Sequence, residues 1–204
     1  MADRKDLIFQ AADELIGERG YAGVSVRDIA ERAGVNKALV FYYFNSKDEL
    51  YERVVERYYG AHVDALAKAF SIEGTIRERL HNVLEAYFGF MAENVRYARL
   101  VQQQVASGDP EHMDLIRRNL GSMLEWTEDA LAEVTPPSGA LAARQFFMSL
   151  SGMVINYFTY APALGPAWGD DPLGESAKSA RLEHLHWVAD ALLDRLEKAH
   201  AGGV

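Results

Sequence analysis

Residues 20–50 decide the fold of this chain, and they read GYAGVSVRDIAERAGVNKALVFYYFNSKDEL. Ser25 can accept a hydrogen bond from the first turn of a helix while Asp28 reaches back, which is a capping box. Gly34 then interrupts the helical pattern, and Asn36 is a good N-cap for a second short helix. Two short helices joined by a tight turn predict a helix-turn-helix.

The spacing of small and apolar residues fits the steric needs of that motif. One residue must be small where the two helices cross, and the turn needs a residue that tolerates positive φ. Ala30 and Gly34 stand at these two positions of the unit that starts at Val26. The apolar positions of the same unit are Ile29, Ala33, Val35 and Val40. This agreement favours a helix-turn-helix over a chance pattern.

Helical periodicity continues on both sides of the motif and predicts an all-α fold. An amphipathic helix precedes it at 3–19, and a second capping box at Ser46 to Glu49 opens a long helix that ends at Phe70. A loop is predicted from Ala161 to Gly174, where prolines and glycines cluster. The remaining predicted helices span 75–93, 95–107, 112–134, 140–160 and 176–200.

Composition excludes several classes of protein and site. The 204 residues include no cysteine, so disulfides and thiolate metal sites are absent. No stretch is apolar over the roughly 18 residues that a membrane span needs, and no signal-peptide pattern begins the chain. We therefore expect a cytoplasmic protein without membrane contact. His184 and His186 point to different faces of a helix, so we expect no metal site and no cofactor.

The formal net charge of −9, taken alone, opposes nucleic-acid binding. Residues 1–50 carry a net charge of −2 and residues 51–204 carry −7, so neither part is basic. Binding to phosphates depends on the local face that the protein presents, and net charge sets only the distant field. Double-stranded DNA is therefore a plausible partner only if the cations gather on one surface.

The second helix of the motif supplies such a surface. In helix-turn-helix geometry, the helix from Asn36 to Tyr43 enters the major groove. Lys37 can donate to guanine, and Phe41 can lie against a thymine methyl group. Arg27 and Lys47 stand in the first turns of other helices, where free N–H groups favour phosphates. The predicted DNA-binding residues are Arg27, Asn36, Lys37, Ala38, Phe41, Tyr42, Tyr43 and Lys47.

Residues 20–50 resemble the N-terminal domain of TetR-type transcriptional regulators, most specifically at 34–37, 42–44 and 46–50. The resemblance implies a homodimer with a helix-turn-helix DNA-binding domain at 1–50 and a larger helical ligand-binding and dimerisation domain at 51–204. It also implies that Tyr43 and Lys47 touch phosphates, while Lys37, Ala38 and Tyr42 lie at the groove. Leu39 and Phe41 depart from the family pattern, which leaves the recognised DNA sequence open.

The last two helices and a set of aromatic and polar residues are the candidates for dimerisation and effector binding. In the family, the last two helices form the dimer interface; the alternative is that their apolar stripes, which include Phe146, Leu150, Leu185 and Leu196, are core of one chain. Ordinary core is likewise the alternative for each effector candidate, which as a set suggest a largely apolar, aromatic or acyl ligand. The candidates are Tyr87, Phe88, Phe90, Met91, Gln103, Gln104, Met123, Trp126, Phe147, Asn156 and Tyr157.

The sequence thus predicts a ligand-responsive transcriptional repressor, which binds a palindromic operator as a homodimer and is released by a small effector. An enzyme is not expected, because phosphate-loop, HExxH, GxSxG and dinucleotide motifs are absent. Two alternatives remain open. A helical enzyme with scattered catalytic residues would turn over a metabolite without specific DNA binding, and a protein-interaction module would bind no duplex even at low salt.

Overall fold

Helices supply the regular structure of residues 3–201, the part that the computed structural model describes; the side chains at 111, 112 and 201 lie outside that description. Within this part, the nine helices are Arg4–Arg19 (α1), Val26–Arg32 (α2), Lys37–Tyr43 (α3), Lys47–Phe70 (α4), Ile76–Glu93 (α5), Val95–Ser107 (α6), Pro110–Leu131 (α7), Ala143–Trp168 (α8) and Glu175–Ala201 (α9). The all-α prediction is confirmed.

The chain forms two compact units. The N-terminal unit consists of the residues up to Ala61 together with Arg99–Leu115, and the C-terminal unit consists of His62–Ala98 together with the residues from Ile116 onward. Helices α4, α6 and α7 therefore each contribute residues to both units. The boundary predicted after residue 50 divides the chain by function, whereas these units are defined by compactness. The predicted boundary therefore stays a prediction.

Side-chain caps define the two short helices of the predicted motif. Ser25 Oγ accepts from the backbone N–H of Asp28 at 3.2 Å, and the Asp28 carboxylate accepts from the backbone N–H of Ser25 at 2.8 Å. The predicted capping box at α2 is therefore present. At α3, Asn36 Oδ1 accepts from the backbone N–H of Leu39 at 2.8 Å, which confirms the predicted N-cap.

The start of α4 differs in part from the predicted capping box. Ser46 Oγ does accept from the backbone N–H of Glu49, at 3.0 Å. The Glu49 carboxylate, however, accepts from the backbone N–H of Asn45 at 3.1 Å and from the Asn45 side chain. In a complete capping box, the Glu49 carboxylate would accept from the backbone N–H of Ser46. Here it bonds instead to Asn45, one residue earlier.

The turn between α2 and α3 has the predicted backbone conformation. Gly34 adopts φ +66°, in the left-handed region that only glycine enters without strain. The next N–H, of Val35, donates to the carbonyl of Ala30 at 3.0 Å, which closes the end of α2. Ile29, Ala30 and Val40 are buried, so the two short helices share a core with the apolar face of α1.

In the C-terminal unit, α5 packs against both α8 and α9. Apolar stripes of the three helices meet there. The buried members include Leu84, Phe88 and Met91 of α5, Phe146, Leu150, Val154 and Phe158 of α8, and Leu185, Ala189, Leu193 and Leu196 of α9. The stripes of α8 and α9 that the sequence assigned either to a dimer interface or to core thus supply the core of a single chain.

The predicted loop from Ala161 to Gly174 is wrong over its first half, because α8 continues to Trp168 through two prolines. Proline usually ends a helix, since it removes an N–H donor and crowds the preceding turn. Here Phe158 and Ala161 are buried, and the Tyr157 hydroxyl donates to the carbonyl of Pro172. These tertiary contacts hold the last turns of α8 in place and shorten the loop to the residues that follow Trp168.

Alanine substitutions at two glycines of the N-terminal unit test the turn, because the two substitutions should change the free energy of unfolding in opposite directions. Neither Gly34 nor Gly60, which lies inside α4, has another atom within 4 Å of the position that a Cβ would take. Gly34→Ala should lower the free energy of unfolding by about 1–2 kcal/mol, because alanine is strained at positive φ. Gly60→Ala should raise it by about 0.5–1 kcal/mol through helix propensity. Urea unfolding measures both, and equal effects of the two substitutions would contradict the assigned turn.

Candidate functional site

One face of α3 is exposed while the opposite face is anchored in the core. Val40 is 1% exposed, whereas Asn36, Lys37 and Ala38 all lie at the surface. The side-chain oxygen Oδ1 of Asn36 accepts the N-cap hydrogen bond, so the side-chain nitrogen Nδ2 is the group that remains to donate. The helix therefore presents donors and a small side chain on its exposed face.

Aromatic side chains extend that face toward the end of α3. Tyr42 is 78% exposed and Phe41 is 41% exposed, which is unusual for large rings. The Tyr43 ring packs edge-on against Tyr42 at a centroid distance of 5.1 Å. Lys37 Nζ lies 5.5 Å from the centroid of Phe41, so its charge stays over the ring on the exposed face.

The cations of the N-terminal unit are not equally available. Arg27 is exposed in the first turn of α2. Arg32, one turn later, is held by Glu14 at 3.1 Å and Glu18 at 3.4 Å, and these carboxylates raise the pKa of its guanidinium. Arg27 and Lys37 are therefore better placed for phosphates than Arg32, in agreement with the residues that the sequence selects.

Lys47 makes an intramolecular contact that the sequence did not reveal. Its Nζ donates to the backbone carbonyl of Tyr21 at 2.6 Å and lies 3.8 Å from the centroid of the Tyr21 ring. Partial burial lowers the pKa of Lys47. The Tyr21 hydroxyl in turn donates to Asp48. Lys47 thus joins the turn after α1 to the start of α4, and a role at phosphates is left to its remaining donors.

A separate site lies inside the C-terminal unit, where α4, α5, α7 and α8 enclose a cavity of about 80 Å³. Its lining residues are Leu66, Phe70, Ile76, Arg79, Leu80, Val83, Leu84, Tyr87, Leu120, Met123, Thr127, Ala130, Leu131, Phe146, Phe147, Leu150 and Ser151. The walls are almost entirely apolar. Pockets that hold small molecules usually measure roughly 300–1,000 Å³, so a ligand of ordinary size would have to enlarge this one.

Three of the predicted effector residues, Tyr87, Met123 and Phe147, line this cavity. Trp126 does not line it, but its ring lies 5.7 Å from that of Phe70, which does. The lining residues that the sequence missed lie on α4, α5, α7 and α8, mostly in apolar stripes, which is the same signal that ordinary core gives. Their type and spacing therefore did not distinguish cavity from core.

The other predicted effector residues are not brought to the cavity. Phe88, Phe90 and Met91 are buried in α5, and Asn156 and Tyr157 line a separate open groove on α8. Those residues stay without a common site.

Gln103 and Gln104 belong to the N-terminal unit. Gln104 is 1% exposed and its Oε1 accepts from the Tyr59 hydroxyl at 3.2 Å. Gln103 is exposed, and its side chain approaches Gly20. Both therefore lie apart from the cavity, which is contained in the C-terminal unit.

His62 stands behind the cavity wall. It is 2% exposed and its ring stacks between Tyr87 and Phe90, at centroid distances of 4.9 and 4.7 Å. Nδ1 lies 3.1 Å from the Tyr97 hydroxyl, and Nε2 is buried without a hydrogen-bond partner. Burial lowers the pKa of His62 to about 3, so the imidazole is neutral near pH 7.

No helix among the described residues is long and apolar enough to cross a membrane. Nor do three or more of the described histidine or acidic side chains gather where they could hold a metal ion.

The profile of the family described as "Bacterial regulatory proteins, tetR family" matches residues 8–54, which include α2 and α3. Residues 8–54 are therefore a DNA-binding domain of the tetR family. The resemblance seen in the sequence is therefore confirmed, together with the helix-turn-helix domain and the helical C-terminal region.

Relatives of this protein are named as regulators of transcription. The activator FasR of Mycolicibacterium smegmatis is 28% identical over 152 residues, which cover 74% of this chain and 68% of FasR. The repressor Rv3405c of Mycobacterium tuberculosis is 51% identical over 49 residues, which cover 24% of this chain and 26% of Rv3405c. The protein is accordingly a DNA-binding transcriptional regulator and not an enzyme.

Solved structures share the fold. That of the transcriptional regulator FadR from Bacillus subtilis in complex with stearoyl-CoA superposes with a TM-score of 0.66 at 22% identity, and the match covers 88% of this chain and 96% of FadR. The fatty acid degradation regulator FadR from Bacillus halodurans gives a TM-score of 0.70 at 21% identity, covering 95% and 96% of the two chains. At these identities the likeness shows the fold alone.

Substitutions at Tyr42 and Phe44 distinguish a loss of DNA contact from a loss of stability. Tyr42→Ala should change the free energy of unfolding by less than about 0.5 kcal/mol, because the ring is exposed, yet weaken DNA binding about tenfold or more. Phe44, which is 3% exposed, is the matched control: Phe44→Ala should cost about 3–5 kcal/mol of stability. Urea unfolding and DNA titration measure the pair. Unchanged DNA affinity in Tyr42→Ala would remove Tyr42 from the interface.

The buried histidine predicts a pH dependence of stability. Because the pKa of His62 falls to about 3 in the folded chain, from 6.5 ordinarily, protonation favours unfolding. Its contribution to stability is complete above about pH 6.5 and is lost as the pH falls toward 3, at up to about 1.4 kcal/mol per pH unit. His62→Phe should therefore flatten the fall in unfolding free energy between about pH 6.5 and pH 4.5. Parallel curves for the two proteins would contradict the assignment.

Proposed function

We propose that this protein is a ligand-responsive repressor that binds a palindromic operator as a homodimer and is released by a small, largely apolar effector. The observation that carries the ligand response is the apolar cavity of the C-terminal unit, which is enclosed by four helices. An enclosed apolar space lowers the stability of the folded chain, because its lining atoms lack contacts on one side. A ligand that fills the space would restore those contacts.

The exposed face of α3 supports the DNA-binding half of the proposal. Lys37 and Tyr42 project where the helix would enter a major groove, and Arg27 lies at the start of α2. These groups are local, so the net charge of −9 does not oppose them. The eight residues predicted from the sequence remain the proposed DNA contacts, with Lys47 acting also as an internal brace. A chromosomal operator as target would place the regulator in the cytoplasm.

An uncovered apolar face supports the homodimer. Met148 of α8 is 66% exposed, Tyr160 is 56% exposed and Trp168 is 51% exposed, while Trp187 of α9 is 67% exposed. Met148, Tyr160 and Trp168 line one open groove, and exposed apolar surface of this kind marks an interface in a soluble protein; the proposal assigns the exposed Trp187 of α9 to the same interface. A second copy of the chain would cover it through a two-fold axis and would place two α3 helices about 34–36 Å apart, one turn of DNA.

The geometry of α4 supports a route from ligand to DNA. Its last turns supply Leu66 and Phe70 to the cavity wall, while its first residues, among them Leu50 and Val54, are buried in the N-terminal unit. Because the cavity of about 80 Å³ is too small for a ligand of ordinary size, the ligand binds an enlarged state more tightly than this one. A shift of α4 in that state would alter the spacing of the two α3 helices and lower operator affinity.

The similar structure from Bacillus subtilis, solved with stearoyl-CoA, supports an effector with a long apolar chain. The walls of the cavity here are suited to such a chain, since Phe70, Met123 and Phe147 offer only carbon and sulfur surface. Tyr87, Met123 and Phe147 are the residues that we retain from the predicted set as effector contacts.

A selection from genomic fragments, repeated across a salt series, tests the function as a whole. Enrichment of one palindrome, with affinity that falls steeply as salt rises, is the expected result. Enrichment of no sequence at any salt concentration would contradict operator binding and leave a protein-interaction module as the better account.

The dimer has a direct test in Trp187→Glu. A carboxylate in the uncovered face would be buried without a partner on association, so the variant should sediment as a monomer and lose about tenfold or more of its operator affinity. Trp187 is exposed in one chain, so the monomer should keep its helix content. A variant that remains dimeric would place the interface elsewhere.

Filling the cavity should separate effector response from DNA binding. Ala130 lines the cavity, and Ala130→Leu should weaken effector binding about tenfold or more while operator affinity stays within about twofold of the original. Ala132→Leu, an identical change at an exposed site two residues later, is the matched control and should alter neither property. Ser151→Leu fills the same cavity from α8. Equal effector binding in both cavity variants and the control would move the site away from this cavity.

A further inference from the structure

We propose that the effector is an amphipathic anion, whose apolar chain fills the cavity and whose charged head group binds Arg79 at the mouth. This inference rests on the proposed function, which makes the cavity the effector site. It adds the charge of the ligand, the direction in which it lies and the residue that recognises it.

Among the described polar side chains of the cavity wall, which also include the Tyr87 hydroxyl, Arg79 is the one that carries a charge. Thr127 Oγ1 donates to the carbonyl of Met123 at 2.8 Å, and Ser151 Oγ donates to the carbonyl of Phe147, so both hydroxyl protons are used within their own helices. A charged group in an otherwise apolar wall needs a partner, because desolvation of an unpaired charge is costly.

Arg79 has few partners within the chain. One of its terminal nitrogens donates to the carbonyl of Ala130 at a long 3.5 Å, and its Nε is buried without a hydrogen-bond partner. No carboxylate of the described residues forms an ion pair with it. A guanidinium carries five N–H donors in a fixed fork that matches carboxylate and phosphate oxygens. An anionic head group would satisfy the donors that the protein leaves unpaired.

Arg79 also stands where the cavity adjoins the surface. An open depression of about 510 Å³ is lined by residues 70–76 together with Arg79 and Glu133. Phe70, Ile76 and Arg79 line both this depression and the enclosed cavity. A ligand whose head lies in the depression and whose chain enters the cavity therefore passes Arg79, and the order of polar and apolar surroundings matches that of an amphiphile.

The other charged and polar groups of the depression limit where the head group lies. At the start of α5, the capping box of Thr75 and Glu78 occupies two backbone N–H groups and places the Glu78 carboxylate there, which disfavours an anion at that helix end. Glu73 and Glu133 are exposed on the outer part and would repel an anion there. The anion is therefore drawn to Arg79 at the inner end, whereas a cationic amphiphile would be drawn to the two carboxylates.

Binding of matched ten-carbon amphiphiles to the purified full-length protein tests the proposal by calorimetry. Decanoate and decyl phosphate carry anionic heads, 1-decanol is neutral and decylamine is cationic, while the chain is the same. The wild-type protein should bind one or both anions about 10- to 100-fold more tightly than 1-decanol, as expected for charge-assisted hydrogen bonds. Decanoate and decyl phosphate distinguish a carboxylate head from a phosphate head.

Variants of two arginines on α5 locate the source of that preference. Arg79→Gln should abolish the preference for the anion while leaving the affinity for 1-decanol within about twofold, and Arg79→Lys should keep part of it. Arg77→Gln is the matched control, because Arg77 pairs with Asp190 and Asp194 and does not line the cavity. It should keep the wild-type preference.

Four outcomes would overturn the proposal, and they are distinguishable. If the wild-type protein binds the anions and 1-decanol equally, the site does not recognise an anionic head group, and no variant is needed to show this. A preference that survives Arg79→Gln assigns the anion to another residue. Tightest binding of decylamine assigns the site to Glu73 and Glu133. In these three cases the cavity remains the effector site, whereas binding of none of the four compounds would remove an apolar effector as well.

Discussion

The continuity of α4 is the constraint on which the rest of the structure depends. Lys47–Phe70 is a single helix of 24 residues, about 36 Å long, and a helix is too stiff to absorb a displacement at one end without moving at the other. Leu50 and Val54 bury one end in the N-terminal unit, and Leu66 and Phe70 form part of the cavity wall. Helix α4 therefore belongs both to the core of the N-terminal unit and to the wall of the cavity, and our proposal is that ligand and DNA favour different positions of this helix.

The start of α4 is fixed by polar contacts rather than by apolar packing alone. Lys47 bonds the backbone of Tyr21, and Tyr21 bonds Asp48, so the turn after α1 is tied to the first turn of α4. Farther along α4, the buried Tyr59 hydroxyl donates to the side chain of Gln104 of α6. Hydrogen bonds are directional, so these contacts specify one arrangement where apolar contacts would tolerate several.

Local features of the fold could be predicted from the sequence, and features that depend on distant residues could not. Ser25, Gly34 and Asn36 act on their own helices, so capping and turn chemistry placed α2 and α3 correctly. The bond from Tyr157 to Pro172 carries α8 past its prolines and has no local signal. The same holds for His81 and His186, which stack at 4.1 Å although 105 positions separate them. For the candidate site, an apolar stripe of α5 predicts burial but does not say that four helices leave space between them, so it did not single out Arg79 as a lining residue.

Thermodynamic linkage between operator and effector tests the central claim most directly. If both ligands act on one equilibrium of α4, the factor by which saturating effector weakens operator binding must equal the factor by which saturating operator weakens effector binding. The measurement is a pair of titrations on the purified protein: operator affinity with and without decanoate, and decanoate affinity with and without operator DNA. The account predicts equal factors of about 5- to 150-fold in the two directions. Decanoate that binds in the cavity yet leaves operator affinity unchanged would contradict it.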